Sequence, residues 1–591
     1  MHSLQGNHRL VGSTNPCACH AGQRPQACPD THAVATIRRP ALRGALAGLL
    51  SCLVLAACGG GGDDSAGSRN GSGTTATSSP TGTTTQQVTM AAACNGCSAL
   101  GPHTYAGSGI GVWQGSNDGS DTATVPVSIA GLTGQDVTLV LTNTSSAAAT
   151  MPPITLAVAS LVEPSRTIQQ AGQSAESART DISDFNRSGW ARLATAANAP
   201  RLSVQSAASV TPAALGSTRD WYYKDGSVRS ATLQGQWTGS DGAVINLWVE
   251  NSESGPGMVT PALVSTLGST YARAGGIYDM LRTVGGPVWG PHNYNNLIAG
   301  SGQPIDLVVM NFDRNNAPYG LVGYFWAMNN FVNSSTTPLS NQSVSLYLDS
   351  ETLYLGGSRG VQTILTTMAH ESLHMQNFYR RSISMGPLYA FSTWLEEATA
   401  MMMEDFADFT IDPSYNAIRD VRLPDYIAYG GGSYDCGLTV WTPFSGSCES
   451  YSVSGSFGGF LNRQLGLAFY KNLLTSASSM DSLASLDAAI KSVQPDSGVV
   501  DQLTRWGATT GALMSAAQTP SGYGYPLRAD SGFTLPAIDP ATLAAQRTLA
   551  STVPAMLQAY ASFPVVRKAV SGTYKEAVQV PAGSTLSIVV Q

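Results

Sequence analysis

Met368-Ala369-His370-Glu371-Ser372-Leu373-His374 decides the fold. It sits inside Gly360–Arg381, a stretch whose residue pattern predicts a helix and which follows the apolar strand-like run Val344–Leu348. On a helix, histidines at i and i+4 stand one turn apart on one face, so His370 and His374 reach the same metal ion. Glu371 stands beside that ion, where it can take a proton from water. A zinc ion brings the pKa of bound water toward ~7 and so provides a nucleophile at neutral pH.

Zinc of this kind needs a third protein ligand and one open position. The chain has 591 residues and 8 histidines, of which His2, His8, His20 and His32 fall in an N-terminal segment read below as removed. His103 and His292 remain besides the pair, both in polar stretches far upstream. The position six residues after His374 is Arg380, not histidine. A carboxylate is therefore the better third ligand. The next predicted helix, about 392–409, carries Glu396, Glu397, Glu404 and Asp405. Glu396 and Glu397 point about 100° apart, so one helix cannot aim both at one metal.

The text Trp394-Leu395-Glu396-Glu397-Ala398-Thr399-Ala400, downstream of HExxH, resembles the WLNEGxA pattern of gluzincin metallopeptidases. The best likeness is to the hyicolysin family of bacterial metallopeptidases, carried also by Ala369–Arg381, Glu397–Asp405 and Gly455–Gly466. The likeness extends in layout over roughly 90–590, but only the two zinc helices are specific. It implies Zn2+, one per chain, held by His370, His374 and Glu397, with Glu371 as general base. This sequence departs from the pattern in having Glu396 for Asn and Ala398 for Gly, which leaves Glu396 a rival. Glu404 lies two turns beyond Glu397 on the same face and is read as an outer partner of a histidine ring. Asp405 is a weaker candidate for that role. Substitution of Glu396 is expected to spare both zinc and activity.

No histidine follows His374, so the oxyanion donor is sought among tyrosines, with Tyr451 first and Tyr429 and Tyr434 as rivals. In resembling folds an edge strand pairs with the substrate backbone, and Val344–Leu348 is the expected counterpart. The Gly-x-Met-Glu-Asn motif of gluzincin aminopeptidases is absent, which favours an endopeptidase acting on proteins or peptides. The rival reading is a surface binding lipoprotein with a peptidase fold and no turnover. Another is a structural envelope protein carrying the motif by chance.

Arg38, Arg39 and Arg43 precede the apolar run Ala45–Ala57, which is too short to span a bilayer and reads as a secretory signal. Leu55-Ala56-Ala57-Cys58 followed by glycines resembles a bacterial lipobox, implying lipidation of Cys58 and a place in the cell envelope, anchored to a membrane, expected to be the outer one, or released outside. Residues 1–57 are thus an upstream segment and signal peptide, and 58–92 a Gly/Ser/Thr tether. Four cysteines then remain, expected as the pairs Cys94–Cys97 and Cys436–Cys448. Charged residues are 12% of the chain and the net charge is −7, with no basic run, which speaks against nucleic-acid binding.

The strand-like runs Thr124–Ala130 and Val137–Thr142, separated by the turn text Gly131–Gln135, predict a hairpin in a small all-β domain. Residues 93–215 are assigned to that domain plus a linker or removable pro-segment. Residues 216–515 are assigned to the peptidase domain and 516–591 to a C-terminal extension. Within the peptidase domain, Thr260-Pro261 opens one helix with apolar residues from Val264 to Leu281. Strands at 244–249 and 305–311 and helices at 456–476, 480–494 and 500–515 follow. The fold class is α+β: a zincin-like, gluzincin-type domain with a mixed sheet and a helical C-terminal half.

Overall fold

The computed structural model describes residues 88–156, 173–195 and 213–591 apart from Phe444. The signal segment, Cys58 and nearly all of the tether lie outside these residues. Strands are numbered along the chain: β1 Ala91–Ala92, β2 Gly111–Asn117, β3 Ala123–Asn143, β4 Thr218–Tyr222, β5 Val228–Thr238, β6 Val244–Glu250, β7 Ile305–Met310, β8 Gly323–Phe325, β9 Val344–Asp349, β10 Ser562–Val580 and β11 Ser584–Val590. They form two main sheets, the first antiparallel throughout and the second mixed, which with the helices make an α+β arrangement.

The first sheet has the order β1-β2-β11-β3-β10, and its strands β10 and β11 come from the far end of the chain. Residues 562–590 are therefore not a separate extension in space, as the sequence layout suggests. The hairpin expected at Gly131–Gln135 does not form either. β3 runs through it and pairs with β10 from Thr142↔Ser562 to Ala123↔Val580. Val580 lies opposite Ala123 and Ser584 opposite Asn143, yet only three residues separate Val580 from Ser584. A straight strand rises ~3.3 Å per residue, so β3 must fold back for both pairings to hold. The bend falls at Gly131 and Gly134, with φ of 99° and 118°, conformations that favour glycine. The pairing register slips opposite them, between Arg567 and Thr573.

The second sheet has the order β4-β5-β6-β7-β9-β8. β6, β7 and β9 are parallel, whereas β8 runs antiparallel to β9 and forms the edge. The strand expected to be the edge, Val344–Leu348, is thus interior, flanked on both sides. Side chains alternate along β7: Ile305, Leu307 and Val309 enter the helical core, while Val308 and Met310 face an aromatic cluster on the other side with Trp221, Trp248, Tyr324 and Tyr347.

Against the helical face lie helices Pro261–Ala272 and Ile277–Gly285, capped at the start by Thr260, whose side chain accepts from Leu263 N–H. The single helix expected here is broken at Arg273–Gly276, where Gly275 has φ 69°. The HExxH helix spans Gly357–Asn377 and continues as a π-helical turn, Phe378–Met385. The glutamate helix spans Thr393–Ile411, and the long helix Ser450–Thr475 packs on it with a break at Gly466. Arg463 and Asp405, both fully buried, join these two helices at 2.7 Å. Asp405 is thereby committed to Arg463, Asn416 and Asn462, not to a histidine. The cysteines pair as Cys94–Cys97 and Cys436–Cys448. Among the described residues no helix is long and apolar enough to cross a membrane.

Candidate metal centre

The HExxH helix lies under the edge of the second sheet with Met368, Ala369 and Leu373 buried in the core. That leaves His370, Glu371 and His374 along a cavity of about 1790 Å³ lined also by β8 and the glutamate helix. Close approach of β8 depends on Gly323. A Cβ there would come within 2.5 Å of Thr367 and 3.3 Å of Glu371 Cγ. Asn377 fastens the two site helices together, donating to both oxygens of Glu396 and to Thr399 Oγ1.

Each imidazole is held from behind by a carboxylate. His370 Nδ1 lies 2.6 Å from Glu404 Oε1, and His374 Nδ1 lies 2.9 Å from Glu396 Oε1. An ionised carboxylate only accepts, so each ring places a proton on Nδ1. The two Nε2 atoms face one another at 3.0 Å. Glu397 approaches both, at 3.3 Å from His370 Nε2 and 3.7 Å from His374 Nε2. Its Oε2 is buried without a hydrogen-bond partner among the described residues. These atoms of His370, His374 and Glu397 lie within 4.8 Å of one another and could hold a metal ion. The donor set of two imidazoles and one carboxylate suits zinc.

Charge points the same way. Burial opposes a charge on His370, but Glu397 and Glu404 outweigh it and bring the imidazole to about 9. The same balance raises His374 well above its ordinary value, with Glu397 and Glu396 against burial. Glu397, despite burial, is held far below the usual carboxylate range by His374 and His370. The cluster demands positive charge, which protons or a metal cation supply.

Glu371 is buried beside the cluster, and burial raises its carboxyl above the ordinary value against the opposing pull of His370 and His374. Phe325 N–H donates to Glu371 Oε2 at 2.9 Å, fixing the carboxylate against β8. Its other oxygen has no hydrogen bond among the described residues. Glu404 is fixed in turn by Arg422, whose Nη2 reaches Oε1 at 3.3 Å and Oε2 at 3.4 Å.

Tyr451 lines the same cavity, with its ring 4.8 Å from Trp441 and 5.7 Å from the Arg422 guanidinium. Tyr429 also lines it, but its hydroxyl donates to Ser445 O at 2.7 Å, and Tyr434 is only 2% exposed. His103 and His292 are engaged elsewhere, with Ser128 O and Ile298 O. Glu396 is not a surface acid: its Oε1 lies at the back of His374, outside the group of ligand atoms that converge. Sequence reasoning missed that role, and it missed Arg422, Asn377 and the Phe325 amide. For Glu396 a signal existed: Asn377 follows His374 by three residues, so one acidic side chain on the neighbouring helix reaches both.

No curated protein matches this chain. A family described as a domain of unknown function (DUF8571) matches residues 92–156, the part that contributes β2 and β3. The family model described as Peptidase M30 matches residues 225–591, which contain the whole metal cluster and also β10 and β11. That match takes in most of the sequence, and the chain belongs to the Peptidase M30 family of metallopeptidases.

Proposed function

We propose that this protein is an exported, lipid-anchored zinc endopeptidase of the gluzincin type, with His370, His374 and Glu397 as metal ligands. The observation that carries the reading is the convergence of two Nε2 atoms and a carboxylate oxygen that makes no hydrogen bond among the described residues, with Glu371 alongside. The antiparallel edge strand above an HExxH helix supports a zincin-like fold. The sheet of β1–β3, β10 and β11 is read as an all-β accessory unit closed by the C-terminus. Export is supported by the Ala45–Ala57 run before Cys58 and by the paired cysteines. Cys58 carries the lipid, the 58–92 stretch tethers the domain, and the cell envelope is the site of action.

Zinc at this site supplies Lewis-acid chemistry, bringing the pKa of water to ~7 and polarising a peptide carbonyl. Glu371 takes the proton of the attacking water on the oxygen not bound by Phe325, and passes it to the leaving amine. Glu404 and Glu396 keep the proton of each imidazole on Nδ1, so both Nε2 lone pairs stay aimed into the cluster. The substrate backbone lies along β8, where Gly323 leaves room beside Glu371. Tyr451 donates its hydroxyl to the oxyanion.

Purified mature protein should cleave casein, lose that activity on dialysis against a zinc chelator, and regain it with equimolar zinc. Hydrolysis that persists in metal-free protein would overturn the reading.

A further inference from the structure

An edge strand offers one row of backbone groups to solvent, and along it alternate residues face outward. Along β8 and the residue before it, Val322 and Tyr324 face inward: Val322 O accepts from Asp349 N–H, and Tyr324 pairs with Tyr347. The outward residues are Gly323 and Phe325. Phe325 N–H is taken by Glu371. Phe325 O is taken by Asn186 Nδ2 at 2.8 Å, and Asn186 Oδ1 accepts from Ala327 N–H, also at 2.8 Å. One side-chain amide thus makes the donor-and-acceptor contact that the backbone of a bound peptide would make.

Asn186 belongs to a segment wrapped round this edge. Ile182, before it, joins the aromatic cluster on one face of the sheet, and Trp190, after it, joins the helical core on the other. Phe185 packs edge-on against Trp326 and Phe331, and Trp190 against Phe378. Arg179 donates to Gly320 O at 3.3 Å. Both faces hold the segment, and Asn186 sits at the crossing. Arg179, Ile182, Asn186 and Arg187 all line the cavity that contains the metal cluster.

We propose that Asn186 is a specificity-determining residue that closes the substrate-binding edge beyond Phe325. This rests on the peptidase reading above. Backbone pairing is confined to Gly323, so substrate residues on the Phe325 side gain no further backbone pairing, and a chain must displace Asn186 to pair further. The substrate class is extended peptide segments, casein included, that are recognised by backbone pairing on one side of the scissile bond and not beyond Gly323 on the other.

The test compares a cleaved reporter peptide with versions progressively extended at either end, using wild type, Asn186→Ala and Asn186→Ser. In wild type, extension at one end should not raise kcat/KM. In both variants the extended-to-short ratio of kcat/KM at that end should rise at least about fivefold, the order expected for regaining one or two backbone hydrogen bonds. A ratio is insensitive to partial loss of folded enzyme. In parallel, the Ala327 amide should be protected from hydrogen exchange in wild type and exchange faster in both variants. An unchanged ratio, or an unprotected Ala327 amide in wild type, would overturn the proposal. Failure of wild type to hydrolyse a peptide of any length is a different outcome: it overturns the peptidase reading, and the pairing limit with it, whatever the exchange result.

Discussion

Replacing Glu371 by glutamine is expected to lower kcat on casein about 10²- to 10⁴-fold while the protein keeps its zinc. Glutamine has the shape of glutamate, and its carbonyl oxygen accepts the Phe325 N–H bond that fixes the native side chain at 2.9 Å. The two imidazoles and their carboxylate supports are untouched, because Glu371 touches none of them through a hydrogen bond. What is lost is the acceptor for the proton of the attacking water. Zinc content by atomic absorption and steady-state kinetics decide the matter. A variant that loses metal and activity together would place Glu371 among the ligands instead of beside them.

Glu397→Ala should remove metal and turnover together. Its Oε2 is buried with no hydrogen-bond partner among the described residues, 3.3 Å from His370 Nε2, and its ligand atom converges with those of His370 and His374. Removing an outer partner of a ligand typically weakens metal binding ~10–100-fold, and losing a ligand itself should cost more. Glu396→Ala provides the contrast. From the sequence, that variant was expected to change nothing. The position of Glu396, 2.9 Å from His374 Nδ1, changes the expectation. It should weaken zinc binding by that ~10–100-fold and recover activity when zinc is added in excess. Glu397→Ala should not recover at the same zinc concentration. Recovery of Glu397→Ala but not Glu396→Ala would mean that the roles of the neighbouring glutamates are reversed.

The part of the site that could be read from the sequence is the part carried by helical periodicity. His370 and His374 are one turn apart, and Glu397 and Glu404 two turns apart, so their common faces follow from 3.6 residues per turn. The rest depends on which elements meet. β8 is three residues long, too short to show an alternating pattern, and the longer Val344–Leu348 run drew the edge assignment although it lies inside the sheet. Gly131-Leu132-Thr133-Gly134 has the composition of a hairpin turn, but the strands that pair with β3 come from residues 562–590. Nothing local marks such a distant partner. The break between the two helices at Gly275-Gly276 was masked by apolar spacing that happens to stay in phase across it. Asn186 lies in a polar stretch without periodicity, and only the folded edge gives its amide a role.

X-ray absorption at the zinc edge of the purified protein tests the central claim most directly. The account predicts one zinc per chain in a shell of nitrogen and oxygen only, with the scattering signature of two imidazoles, and a loss of the metal in Glu397→Ala. Substoichiometric zinc after gentle purification, or a shell containing sulfur, would contradict it.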